Sequence, residues 1–437
     1  MAKRVLALLL CICICFLLSA CSKPSFEISN MISAPSPSGE MENIENALKK
    51  SKGENIVLKY PRSGKYRSPF ILRDIDGDGT QEAVAFYSTP KEDGKNTLHI
   101  NLLAKTDREW KSVSDIGLTA DSVDRVDFRD FCDSGSDQIV VGWNCFSEDN
   151  RRLTVFRVEG RTLLQLSDEN YSTFALADMD RDGLDEIVSL YIDRTGKQAG
   201  ASLTKIVGNR VELLSTCRLD GSATEYHEPV VAETDGKGTA VYFDAESGSS
   251  GSFTQLLQFE NGVLFDAFFD AQSGQNTVKR PISLKVHDCN GDKIPEIPCT
   301  KYLPSLEGYP DSRNMYIIQW STYGSEGFTP VKNTYINNVD GYKLNIPSEW
   351  ADNIIAIRSS SGSSCVFYEY AAGAESPGDE ILSVTVVTGE VAGIDTSSFV
   401  LDEGDGKTYY GHLGTSKLAP DEKEFKKSFK RNGGKQS

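Results

Sequence analysis

The sequence predicts a mainly β chain: a β-propeller of about five four-stranded blades, followed by a small carboxyl-terminal α+β domain. Three observations predict it. Past residue 53, helix-period patterns nearly vanish until the carboxyl end. Short runs rich in Val, Ile, Phe and Tyr replace them, separated by Gly, Asp, Asn and Ser turns. An acidic turn, Asp74-Ile75-Asp76-Gly77-Asp78-Gly79-Thr80-Gln81-Glu82, sits between the apolar runs Phe70-Ile71-Leu72 and Ala83-Val84-Ala85-Phe86-Tyr87. That turn recurs, with first positions at Asp74, Asp130, Asp178, Glu233 and Asp288, a period of about 50 to 55 residues that suits propeller blades.

Taken in order, the chain opens with Lys3-Arg4, an apolar run from Val5 to Leu18, and Leu18-Ser19-Ala20-Cys21, the pattern of an export signal over residues 1–20. The run is too short to span a bilayer as a stable helix. Its end resembles the lipobox of bacterial lipoproteins, which implies that Cys21 is diacylated and becomes the mature first residue. Two acyl chains give stable anchoring where one does not. Ser22 to about Glu40 is rich in Ser and Pro and reads as a tether. Met41, Ile44 and Leu48, with Glu42 and Glu45 early and Lys49 and Lys50 late, predict one short amphipathic helix within the 21–54 segment.

The propeller is expected over 55–337. The first blade takes Pro69–Arg73, Glu82–Ser88, Thr97–Ala104 and Trp110–Leu118, and the second Val123–Phe128, Gln138–Trp143, Leu153–Val158 and Thr162–Leu166. The third takes Phe174–Ala177, Ile187–Ile192, Leu203–Val207 and Val211–Cys217. The strand Asn55–Tyr60 is expected to close the ring by pairing into the last blade. At Asn337–Asp340 the rhythm breaks, and residues 338–437 read as the small α+β domain, with strands at Gly341–Pro347, Ile354–Arg358, Ser364–Tyr370 and Ile381–Val387 and helical spacing over Asp421–Arg431.

The acidic turns carry the chemistry. Oxygen ligands at positions 1, 3, 5 and 9, a glycine at position 6 and a backbone carbonyl at position 7 match the opening of a calcium loop. The first turn supplies Asp74, Asp76, Asp78, the Thr80 carbonyl and Glu82; the third supplies Asp178, Asp180, Asp182, the Leu184 carbonyl and Glu186. The fifth supplies Asp288, Asn290, Asp292, the Ile294 carbonyl and Glu296, with Lys293 where the glycine belongs, so it is the weaker copy. The second and fourth copies are eroded: Cys132, Ser134 and Gln138 replace positions 3, 5 and 9 of one, Lys237 and Val241 positions 5 and 9 of the other. No metal is expected there. A hairpin of Asp, Asn and Gly capping its own backbone is the competing account; two full copies and one near copy in register favour calcium.

The formal charge of −17 argues against nucleic acid as a partner. Cys132, Cys145, Cys217, Cys289, Cys299 and Cys365 match no zinc spacing, and the pairs Cys132/Cys145 and Cys289/Cys299 could each bridge a hairpin or stay reduced. His99, His227, His287 and His412 are scattered, and no H-E-x-x-H, G-x-S-x-G or P-loop pattern occurs.

The motif D-x-D-x-D-G-x-x-E between apolar strands, repeated at blade spacing over about Pro69 to Tyr335, resembles the FG-GAP and VCBS repeats of secreted β-propellers, including the calcium-binding blades of integrin α subunits. The Phe-Gly and Gly-Ala-Pro dipeptides that name the repeat are absent. Together with the amino terminus, the arrangement looks like the repeat-bearing lipoproteins of Gram-positive bacteria. The resemblance implies calcium at the first, third and fifth turns. The expected role is a lipid-anchored binding or scaffold module on the outer face of the cell membrane, with a protein or carbohydrate ligand. The alternative is a carbohydrate-active hydrolase or lyase on the same scaffold. It would draw on carboxylates outside the turns (Asp127, Glu225, Glu228, Asp244, Asp270) and on strand aromatics such as Trp143, Tyr191, Tyr242 and Trp320.

Overall fold

The computed structural model describes residues 39–432, apart from 91–95, 146–150, 235–237, 249–250, 360–361 and 390–394. The expected export signal, Cys21 and most of the tether lie outside the described residues, as does the centre of the fourth turn. Among the described residues no helix is long and apolar enough to cross a membrane.

The chain is mainly β, in antiparallel sheets. Helix α1 (Gly39–Lys52) precedes them, with Glu40 and Glu42 in its first turn and Lys49, Lys50 and Lys52 in its last, each at the helix end whose dipole favours it. The first sheet holds Phe70–Arg73, Glu82–Pro90, Asn96–Thr106 and Glu109–Leu118. The second holds Ser122–Arg129, Gln138–Asn144, Arg151–Glu159 and Thr162–Tyr171; the third Thr173–Ala177, Glu186–Asp193, Gln198–Val207 and Arg210–Leu219. The fourth is built on Val230–Thr234, Gly238–Glu246, Ser252–Glu260 and Val263–Asp266, and the fifth on Ile297–Tyr302, Tyr316–Gly324, Gly327–Asn337 and Tyr342–Ile346. Each is a meander; a bulge interrupts the last hairpin of the first, second and third sheets and the middle hairpin of the fifth.

Because side chains alternate across a strand, every sheet has two faces to cover. One shared core joins the first and second sheets through Val84, Phe86, Ile100, Val126, Val141 and Trp143. Another joins the second and third through Val140, Val155, Phe174 and Ile187, and a third joins the third and fourth through Val188, Leu203, Phe243 and Leu257. Tyr242 and Leu256 of the fourth sheet, with Phe268 just past its last strand, meet Ile297 of the fifth. The end faces are covered by other elements. Ile44 and Leu48 of α1 pack on Phe70, Ala85, Tyr87 and Leu103 of the first sheet. Ile317, Tyr335 and Leu344 of the fifth sheet share a core with Ile354, Phe367, Ile381 and Val384 of a carboxyl-terminal sheet made of Ile354–Arg358, Ser364–Glu369, Glu380–Thr388, Phe399–Gly404 and Lys407–Leu413. Among the described residues no core joins the fifth sheet to the first, and neither has a face left for one.

Two expectations are corrected. The ring-closing strand over Asn55–Tyr60 reduces to Val57–Leu58, which pairs with Ser88 and Tyr87 of the first sheet. Phe70–Arg73 covers only Glu82–Ala85 of that neighbour, so an open edge remained for it to fill. The break at Asn337–Asp340 is a hairpin inside the fifth sheet: the Asn337 side-chain oxygen accepts from the Val339 and Asp340 N–H groups, and Tyr342–Ile346 pairs with Asn333–Asn337. Sheet pairing therefore crosses the boundary expected at 337/338. Helix α2 (Glu422–Ser428), held by an Asp421–Glu424 capping box, buries Phe425 and leads into Phe429–Arg431, which returns to the fifth sheet.

Candidate cation-binding turns

The acidic turns share one backbone solution. Positions 4 and 6 are left-handed in the first, second, third and fifth: Gly77 and Gly79, Asp133 and Gly135, Arg181 and Gly183, Gly291 and Lys293. Lys293 therefore adopts, at φ 72°, the conformation that glycine provides elsewhere, at a cost of about 1–2 kcal/mol. This geometry aims the position-6 N–H at the position-1 carboxylate. Gly79 donates to Asp74 at 3.0 Å, Gly135 to Asp130 at 2.7 Å, Gly183 to Asp178 at 3.0 Å and Lys293 to Asp288 at 2.8 Å.

Position 9 closes the other side. One oxygen of Glu82 accepts from Ile75 N–H at 3.0 Å, one of Glu186 from Met179 at 2.8 Å, one of Glu296 from Cys289 at 2.7 Å, and in the eroded second turn Gln138 accepts from Phe131 at 3.0 Å. That hydrogen bond is common to the metal-type and eroded turns, so it shapes the loop. The second oxygen is what distinguishes a carboxylate there. In Glu296, a fully buried residue, it has no hydrogen-bond partner. A buried carboxylate oxygen without a partner costs several kcal/mol, which a cation would recover.

Carboxylate oxygens gather within 4.8 Å of one another at Asp74, Asp76 and Asp78, at Asp178, Asp180 and Glu186, and at Asp288, Asp292 and Glu296. These fall in the same three turns that the spacing singles out. Thr80, Leu184 and Ile294 occupy position 7, each N–H donating to the carboxylate two residues before it. Asn290 turns inward on itself, its oxygen accepting from Asp292 N–H at 2.9 Å and its amide donating to the Asp292 carboxylate at 2.9 Å. Burial raises the Glu82 carboxyl above the ordinary range against the pull of the Ile75 N–H, and the charges of Asp76 and Asp78 add to the rise. All-oxygen clusters of this kind suit a hard divalent cation such as calcium.

Lys205, which the motif search missed, belongs to the third turn. Its ammonium lies 2.5 Å from Asp180, 2.6 Å from Asp182 and 3.2 Å from Glu186. Burial pulls that ammonium down, but hydrogen bonds to the three carboxylates outweigh it and hold the group above its ordinary value. The signal was register: Lys205 follows Thr204, the cross-strand partner of Ile187.

Neighbouring turns also touch. Arg73, just before the first turn, pairs with Asp137 at position 8 of the second, and Arg129, just before the second, pairs with Asp185 at position 8 of the third at 2.7 Å. Ser136 donates to the Asp76 carbonyl at 2.8 Å. The first three turns thus share one rim.

The opposite rim is open. A cavity of about 160 Å³ is lined by Asp124, Arg125, Tyr171, Phe174, His227 and Glu228, where the first strands of the second, third and fourth sheets converge. Beside it, a cleft of about 710 Å³ between the second and third sheets is lined by Glu169, Asn170, Tyr191, Gln198 and Arg218. The Tyr191 ring lies over Gly200, where a Cβ would come within 2.7 Å of it, and stays 45% exposed.

Of the remaining candidates Glu225 is exposed, and the others are structural. Asp244 is buried against Arg280 at 2.8 Å, Asp270 caps its own turn, and Asp127 pairs with Arg125 at 2.5 Å. Trp143, Tyr242 and Trp320 are buried. His99 stacks on Tyr87 and bonds Asp115, whose carboxyl is held down at about 2, its burial outweighed by His99, Asn101 and Tyr87. His227 pairs with Glu246, His287 packs on Trp320, and His412 bonds Ser397. All six described cysteines are free, so neither hairpin pair is bridged; burial pushes the Cys217 and Cys365 thiols up to about 12.

No family model and no curated relative matches the chain. Among solved structures it is similar to a rhamnogalacturonan lyase of Bacillus licheniformis, at 14% identity over 72% of this chain and 75% of that one, with a TM-score of 0.29. A protein from Lactobacillus plantarum matches at 8% identity over 72% and 84%, with a TM-score of 0.30. An exotype rhamnogalacturonan lyase matches at 11% identity over 72% and 76%, with a TM-score of 0.24. These likenesses assign this chain no activity.

Proposed function

We propose that the protein is a calcium-stabilised, propeller-like binding module. Its five sheets act as blades, its acidic turns hold calcium along one rim, and its ligand is taken at the other. The buried, unpartnered Glu296 oxygen beside Asp288 and Asp292 is the observation that carries the metal reading. The ion is structural in this reading, because it lies on the rim away from the cavities and its ligands are already engaged in shaping the loop. The export pattern and Cys21 support a place on the outer face of the cell membrane, held by a lipid anchor. Tyr191, Asn170, Gln198 and Arg218 would offer an aromatic face and polar groups to a carbohydrate or protein ligand.

The test is thermal unfolding of the full chain in a non-ionic detergent, first with EDTA and then with calcium up to about 1 mM, the range of extracellular sites. Calcium is expected to raise the melting temperature. The double variant Glu82→Gln/Glu296→Gln is expected to lose that rise while melting normally in EDTA, because Gln138 already maintains the same hydrogen bond in the second turn. An identical melt with and without calcium would reduce the turns to hairpins. In the alternative, a hydrolase or lyase acting at the Tyr191 cleft, with Glu169 beside it, oligosaccharide would be cut, and Tyr191→Ala would reduce cutting as well as binding.

A further inference from the structure

We infer that the third turn carries its own cation, the Lys205 ammonium, so that a soluble divalent ion enters only the first and fifth turns. This rests on reading the acidic turns as cation sites. Three sequence-equivalent loops are then chemically different.

The geometry is that of a replacement. Lys205 reaches positions 3, 5 and 9 of the loop together, at 2.5, 2.6 and 3.2 Å, which is where a metal bridging those carboxylates would sit. The Glu186 oxygen facing it is fully buried and has no other partner. The Lys205 side chain is itself only 16% exposed. Being tethered, it is present at the site at a high effective concentration whatever the medium contains, and an incoming ion must displace it. One lysine brings a single positive charge to the four carboxylates at positions 1, 3, 5 and 9, and its three N–H groups match the three oxygens it meets.

The eroded second turn solves the same problem independently. There Gln138 keeps the loop hydrogen bond through its oxygen and turns its amide to the Ser136 carbonyl at position 7, at 3.2 Å. An internal N–H donor again stands between positions 9 and 7. Among the described residues, no side-chain N–H donor reaches position 9 or 7 in the first or fifth turn; in the fifth, the Asn290 amide stays between positions 3 and 5. The residues in register with Lys205 are Ala104 in the first sheet and Thr322 in the fifth, following the partners of Ala83 and Ile297.

Calcium titration by calorimetry, on the full chain in a non-ionic detergent, decides it. The Lys205→Met variant, which keeps the stem and removes the charge, is expected to bind one more calcium ion than the native chain. Adding Asp178→Ala to it is expected to remove that ion. Asp178→Ala alone is expected to leave the native stoichiometry unchanged. Melting curves in EDTA establish that each variant is folded, and Lys205→Met is expected to melt lower than the native chain there and to recover with calcium. Equal stoichiometry in the native and Lys205→Met chains overturns the inference, as does loss of an ion from Asp178→Ala alone. Absence of calcium binding in both native and Lys205→Met chains instead overturns the underlying reading of the turns.

Discussion

Single residues carry more than the repeat pattern records. Asp266, buried at the end of the fourth sheet, spends one oxygen on the Leu256 and Phe268 N–H groups at 3.0 Å each, and leaves the other without a partner. Burial pushes its carboxyl up to about 7, against those hydrogen bonds and with help from Asp220. The folded chain therefore holds a proton that the unfolded chain releases near the ordinary carboxylate value. Stability from this site is full below about pH 4, falls as pH rises, and is lost above about 7. Asp266→Asn keeps the accepting oxygen and removes the titration. Urea unfolding at pH 4.5 and pH 8 is expected to show the variant gaining on the native chain by about 2–4 kcal/mol across that interval; a gain that does not change with pH would show that Asp266 is not ionising there. The acidic positions were legible in the sequence because turn chemistry is local: Asp74, Asp178 and Asp288 act on N–H groups five residues on. Lys205 was not, because it enters from a strand whose register depends on the whole hairpin.

At the scale of elements, alternation found most strands of the first three sheets to within a few residues, since each has two buried faces and β-branched or aromatic residues on both. It missed Phe399–Gly404 and Lys407–Leu413, where Asp402, Glu403, Lys407 and Thr408 blur the pattern. Helix α1 was read correctly as amphipathic, but what its apolar face covers was not legible. Leu48 is fully buried against the first sheet, so Leu48→Ala is expected to cost about 2–4 kcal/mol, read from the urea midpoint at unchanged m-value. A cost near zero would mean that α1 is an appendage and that the first sheet stands without it.

For the molecule as a whole, periodicity marks a series of antiparallel sheets and leaves what covers the ends of the series unread. A repeat pattern reports what each unit shares; what covers the first and last units comes from segments outside the repeat. The fifth sheet needs Tyr342–Ile346 and Phe429–Arg431, and its outer face needs the carboxyl-terminal sheet. A chain ending after Asn337 would expose Ile317 and Tyr335, and is expected to aggregate and bind a hydrophobic dye, whereas one ending after Asn432 is expected to behave as the full chain. A monomeric, cooperatively melting product from the shorter chain would show that the boundary at 337/338 is a real one.

The two end covers have a further consequence. In a closed ring the count of blades is fixed by geometry, because the angles between neighbours must add up to one full circle. Here each end has its own lid, α1 on one side and the carboxyl-terminal sheet on the other, and among the described residues no core between them demands a total. A gene duplication that inserted a whole unit between two neighbours would leave both lids seated, so length in this architecture is free to change by whole sheets.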